Sequence, residues 1–89
     1  MDVNEFIPKA KELVYEYAKK HLDVTDNVEF SLEDDVYVVW STKVLHHAKA
    51  LLSTTLPDGM YYEVTYNGLE GEIYFDAYKK FENFKVEGV

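Results

Sequence analysis

His46 and His47 are the first residues in this chain that invite a chemical reading. Neighbours on a strand point to opposite faces, so one metal ion cannot take both without a tight turn. A zinc centre would also need further ligands, and the chain holds no cysteine to supply them. The pair is expected in the turn between two strands. Asp23, Thr25, Asn27 and Glu29 alternate ahead of Asp34 somewhat as in a calcium loop. The stretch lacks the mid-loop glycine and the bidentate glutamate of such loops, and no helical pattern follows, so it reads as a solvated acidic loop. Ser41, Ser53, Thr54 and Thr55 carry hydroxyls with no nucleophile elbow around them. Gly59, Gly68, Gly71 and Gly88 are too dispersed to cradle a phosphate and read as turn and tail residues. No catalytic residue, metal ligand or cofactor site is assigned, and the chain is read as non-enzymatic.

Two features remain. Glu33-Asp34-Asp35 concentrates negative charge, together with Asp23, Asp26 and Glu29. Such a run is usually a solvated loop. It can also dock on a partner, because an array of carboxylates can stand in for the phosphates of DNA in a basic groove and speed encounter at long range. The second feature is the set of eight tyrosines. Alternation places Tyr61, Glu63, Thr65, Glu72 and Tyr74 on the outer face of a sheet, where Tyr37 joins them. Aromatic residues among acids have the composition of a protein interface. The competing reading is cross-strand pairing that stabilises an exposed sheet without a partner. The candidate protein-binding residues are therefore Glu33, Asp34, Asp35, Tyr61, Glu63, Glu72 and Tyr74.

These residues need elements to position them. Phe6, Ile7, Ala10, Leu13, Val14, Tyr17, Ala18 and Leu22 lie on one stripe of a 3.6-residue repeat, which predicts an amphipathic helix. Pro8 fits only its first turn, with Asp2 or Asn4 as cap. Val28, Phe30 and Leu32 alternate with polar residues and suggest a short edge strand or a loop with inward side chains. Val36 to Lys43 is rich in β-branched and aromatic residues, and its unbroken apolar start predicts a central strand covered on both faces. Ala48 to Thr55 follows, with Ala48, Ala50 and Leu52 on one side leaving room for the helix. Leu56-Pro57-Asp58-Gly59 is a turn. Met60, Tyr62, Val64 and Tyr66 then form a core face. Asn67-Gly68 opens a hairpin into Glu72 to Phe75, with Ile73 and Phe75 inward. After Asp76, an N-cap residue type, Ala77, Tyr78, Phe81 and Phe84 take helical spacing and predict a short C-terminal helix, a continued strand being the alternative.

Composition limits the function classes. One core must serve all 89 residues, and 47% hydrophobic with 16% aromatic content suffices to offset the chain entropy lost on folding. The net charge is −8. Residues 1 to 22 are balanced, with four lysines against four acids, whereas residues 23 to 89 set five lysines against thirteen acids. Arginine, the usual reader of phosphate and bases, is absent. That balance argues against nucleic acid as a partner. The start of the chain has neither a positive n-region nor an apolar h-region, and no apolar run reaches spanning length, so a cytoplasmic protein away from membranes is expected.

A wider likeness rests on Asp34-Asp35-Val36-Tyr37-Val38-Val39-Trp40, on Ala50 to Gly68 and on Tyr74-Phe75-Asp76-Ala77-Tyr78-Lys79-Lys80-Phe81-Glu82-Asn83. The chain resembles a family of small uncharacterised proteins from phages and prophages of low-GC Gram-positive bacteria, with Ser53 to Gly68 as the most specific part. The resemblance carries over no catalytic residues. It implies an accessory protein made inside a bacterial host cell.

The expectation is thus a single α+β domain, residues 1–89. An N-terminal amphipathic helix packs on one face of an antiparallel three- to four-stranded meander, and a short C-terminal helix closes the core. Its expected role is binding a host or phage protein through an acidic, tyrosine-bearing surface, as a DNA mimic or inhibitor in one form. The alternative is a single-stranded nucleic-acid binder stacking bases on Tyr61, Tyr74 and Trp40. Open sheet edges also admit a homodimer.

Overall fold

A computed structural model of the chain describes residues 1–22 and 29–88. The chain opens with a 3-10 turn, Val3–Glu5, in which the Asp2 carboxylate accepts the Asn4 amide at 3.1 Å. Helix α1, Phe6–Lys20, follows directly, so Pro8 falls in its first turn, where no intrahelical partner for the missing amide hydrogen is needed. Lys19 and Lys20 occupy the last turn and oppose the negative end of the helix dipole. A single turn of helix, α2 (Leu32–Asp35), then leads into four strands: β1 (Val36–Val44), β2 (His47–Thr54), β3 (Met60–Asn67) and β4 (Glu72–Lys79). All neighbours pair antiparallel in the order β1-β2-β3-β4.

The core lies between α1 and one face of this sheet. Phe6, Ala10, Val14 and Ala18, spaced four apart along one line of the helix, are all buried. Phe6, Ala10 and Val14 share one buried cluster with Val36 of β1, Ala48, Ala50 and Leu52 of β2 and Tyr62, Val64 and Tyr66 of β3. The small side chains of Ala10 on the helix and of Ala48 and Ala50 on the strand let the helix sit close while larger side chains fill the flanks. Phe6 stacks with Tyr66 at 6.2 Å between centroids, and Tyr17 packs between Tyr62 at 5.6 Å and Phe75 at 5.3 Å. The Tyr66 hydroxyl donates to the Met1 carbonyl at 2.6 Å and ties down the start of the chain. Burial pushes the Tyr62 hydroxyl up to about 12, with the Asp58 carboxylate and Tyr17 adding to it, so this core residue stays neutral at ordinary pH. The smallest dimension of the molecule is 19 Å, the thickness of one helix laid on one sheet.

Two expectations are corrected here. The predicted C-terminal helix over Ala77 to Phe84 does not form. Instead β4 continues to Lys79, with Ala77 opposite Tyr62 and Tyr78 opposite Tyr61, and the Lys80 amide donates to the Gly59 carbonyl at 2.7 Å. A helix there would strip the start of β3 of backbone partners on that side, a cost that a short stretch of 3.6-residue spacing cannot offset. From Lys80 to Gly88 there is no regular secondary structure. The strand predicted to be central, β1, is an edge. Its apolar run reflects an exposed side, with Tyr37, Val39 and Trp40 each left between 44% and 46% accessible. The Val28–Glu33 expectation is answered only in part. Val28 lies outside the described residues, while Phe30 and Leu32 turn inward against the core without forming a strand.

The hairpins follow turn chemistry. Leu45 and His46 form a two-residue turn between paired Val44 and His47. The Asn67 carboxamide oxygen accepts the amides of Leu69 and Glu70 in the β3–β4 turn. The two turns touch at Gly68, where an added Cβ would lie 2.0 Å from the His46 carbonyl oxygen. Gly68→Ala is therefore expected to cost roughly 1–3 kcal/mol by forcing the turns apart. Urea denaturation with an unchanged slope should show it, and a wild-type midpoint would refute the contact.

Candidate functional site

The sheet face turned away from α1 has no element over it among the described residues. Its side chains follow from the strand register. Between Val38 and Trp40, β1 carries one residue more than β2 opposes, so the inward set changes parity. Before that irregularity Tyr37 shares the outer side, and after it Trp40, Thr42 and Val44 do. Four rows then run across the sheet. They are Tyr37, Ser53, Tyr61, Tyr78, then Trp40, Leu51, Glu63, Asp76, then Thr42, Lys49, Thr65, Tyr74, and finally Val44, His47, Asn67, Glu72.

Charge divides this face. β1 and β2 hold no acid in their ranges, although the chain has 17. Glu63, Glu72 and Asp76 all stand on β3 and β4. Lys49 reaches across to Glu63 at 3.5 Å, which neutralises the middle of the face and leaves the β4 side anionic. On that side the Tyr74 hydroxyl donates to the Glu72 carboxylate, and this bond, followed by the charge of Glu72, holds the phenol proton above its ordinary range. Tyr74 and Tyr78 remain 54% and 51% exposed, so half of each ring is wet where no part of the fold uses it.

Of the residues singled out from sequence, Tyr61, Glu63, Glu72 and Tyr74 thus share one face. The acidic triplet stands apart from them, on α2. Glu33 and Asp34 are exposed there. Asp35 is occupied: one carboxylate oxygen accepts the Ser31 amide at 2.7 Å, the other accepts the Thr55 hydroxyl at 2.7 Å, and its carbonyl accepts the Thr55 amide at 2.9 Å. It clamps the turn before β1 to the loop after β2. Sequence reading missed Asp76, read as an N-cap, and Tyr78, read within a helix that does not form; Trp40, named there only for base stacking, reaches this side through the irregularity at Val39. The signal that could have found Tyr78 was the continued alternation Tyr74, Asp76, Tyr78.

The other candidate chemistry stays dispersed. His46 lies in the turn and His47 begins β2. Among the described residues no group of three or more His, Cys, Asp or Glu side chains could hold a metal ion. Asp23, Thr25 and Asn27 of the acidic loop lie outside the described residues. The Ser53 hydroxyl donates to the Met60 carbonyl at 2.8 Å and the Thr54 hydroxyl accepts the Leu56 amide at 3.3 Å, so both serve the β2–β3 connection. A shallow depression of about 320 Å³ opens on the outer face between Thr42, Val44, His47, Lys49, Thr65 and Tyr74, and its walls are mainly apolar. No described helix is long and apolar enough to cross a membrane.

The clamp at Asp35 generates a pH dependence. The Ser31 amide first, and then the Thr55 hydroxyl, hold its carboxyl below the usual carboxylate range. Its stabilising effect is therefore complete above the ordinary carboxylate pKa of about 3.9 and fades as pH falls through the lower folded value. Asp35→Asn should melt earlier than the wild type at pH 7, and the gap should close toward pH 2. A gap that stays constant across that range would contradict the assignment.

No curated protein and no solved structure matches the chain. A family model, described as a family of unknown function (DUF6275), matches residues 7–88. With nearly the whole chain covered, from the first turn of α1 to the end of the tail, the protein belongs to this family of unknown function.

Proposed function

We propose that the protein is a non-enzymatic accessory protein of a phage or prophage that binds a host or phage protein through the outer face of β3 and β4. The observation that carries this reading is the half-wet tyrosine pair Tyr74 and Tyr78, set among Glu63, Glu72 and Asp76 on a face with no covering layer among the described residues. Tyrosine suits docking because it offers a large amphipathic area at low entropic cost. The surrounding carboxylates favour a partner with a basic surface, whether one that normally holds DNA or another, and they steer its approach. Glu33 and Asp34 stand apart from this face, on the α2 turn beside β1, and add only to the long-range negative field that steers an approaching partner.

Nucleic acid as ligand is the weaker alternative. The aromatic face could stack bases, but its charge has the wrong sign for a phosphate backbone. Titration with oligonucleotides at low salt is expected to leave Trp40 fluorescence unchanged.

The reading is tested by retention from host-cell lysate on immobilised protein. Proteins held by the wild type should be lost from Tyr61→Ala/Tyr74→Ala, since truncating one interface tyrosine commonly costs more than about 1 kcal/mol. They should be weakened, in a salt-dependent way, by Glu33→Ala/Asp34→Ala. Equal retention by all three forms would overturn the proposal.

A further inference from the structure

β1 combines features that do not suit a strand left facing water. It is an edge, and among the described residues no backbone group pairs with its free side. Its nine residues, VYVVWSTKV, include no proline, no glycine, no acid and one charge, Lys43. Edges are ordinarily protected by charge, proline, bulges or cover, because bare ones recruit another strand, and β1 has only Lys43 and the irregularity at Val39. The other edge, β4, is protected in this way, with Glu72, Asp76 and Lys79 in its eight residues.

We infer that β1 is a self-association surface, pairing antiparallel across its free edge with the β1 of a second copy of this chain. This rests on the edge and its charge pattern, independently of the partner-binding role given to β3 and β4. An antiparallel pair of identical strands is related by a two-fold axis and closes at two copies. The acid-bearing β4 edges would be left outermost, where like charges oppose further growth.

Charge selects a second copy as the occupant. The strand is preceded by Glu33, Asp34 and Asp35 and ends at Lys43, with His46 and His47 in and beyond the turn. Antiparallel pairing sets the acidic start of each copy toward the Lys43 end of the other. Lys43 is available for this, since its ammonium meets only the neutral Asn4 side-chain oxygen, at 3.1 Å, and no carboxylate among the described residues. Tyr37, Val39 and Trp40, at 46%, 45% and 44% exposure, supply apolar surface at the edge to be covered. The product is a continuous eight-stranded sheet that keeps both anionic β3–β4 faces open, so that the dimer presents two copies of the docking surface.

Sedimentation equilibrium of the full chain between about 1 µM and 500 µM tests this, with far-UV circular dichroism to verify folding. The wild type is expected at twice the monomer mass in the upper part of the range. Val39→Glu and Trp40→Glu both alter exposed side chains outside the core, so they should fold normally and sediment as monomers. Asp76→Lys on the opposite edge should remain dimeric. A second readout needs no disruptive variant: on dilution through the transition, amide exchange should accelerate in β1 and not in β4. A wild type that is monomeric at 500 µM, a Trp40→Glu dimer as tight as wild type, or acceleration in β4 instead of β1 would overturn the proposal. Loss of the dimer with lysate retention intact would leave the β3–β4 reading standing, and the converse would leave only this one.

Discussion

The close packing of α1 on β2, with Ala10 of the helix and Ala48 and Ala50 of the strand in one buried cluster, is the constraint on which the rest of the molecule depends. Ala10 and Ala18 on the helix, with Ala48 and Ala50 on the strand, are buried to the point that none exceeds 6% exposure. Small residues on both sides bring the backbones together and let Phe6, Val14, Leu52, Tyr62 and Val64 close around them, and these are the most completely buried large side chains. A larger residue at Ala50 would lift the helix from the sheet, which is the usual consequence of overpacking. The other stabilising devices, the Asp35 clamp and the bond from Tyr66 to Met1, act at the margins of this contact.

One fifteen-residue helix has one apolar stripe, and it can shield one face of four strands. The second face must be solvated, covered by another molecule, or both. Its composition is divided to match. The β3–β4 half carries carboxylates beside tyrosines and tolerates water, whereas the β1–β2 half contains no acid in a chain with a net charge of −8. The same division separates the two inferences, an anionic tyrosine surface for a foreign partner and an uncharged edge for a second copy.

Much of this was legible in the residues, because two strong periodicities carried it. The stripe from Phe6 to Ala18 could only be a helix, and the alternation from Met60 to Tyr66 could only be a strand with Tyr62, Val64 and Tyr66 inward. From that one strand the placement of Tyr61, Glu63, Glu72 and Tyr74 followed. What failed had nonlocal causes. Residues 77–79 are strand because β3 needs partners beside Tyr61 and Tyr62, a demand invisible in their own spacing. The irregularity at Val39, which turns Trp40 outward, went unforeseen because nothing in an apolar run marks which residue will be extra. Asp35 read as part of a charge run, since its partner Thr55 lies twenty residues away.

The central claim is that the two sheet faces differ in access to water. Hydroxyl-radical footprinting read by mass spectrometry at each tyrosine tests it directly, performed on the Trp40→Glu form so that self-association cannot contribute. Tyr74 and Tyr78 should be oxidised at rates near those of the denatured chain, while Tyr62 and Tyr66, at 1% and 6% exposure, should be strongly protected. Protection of Tyr74 and Tyr78 together with rapid oxidation of Tyr62 would mean that the helix covers the opposite face, and the account would be wrong.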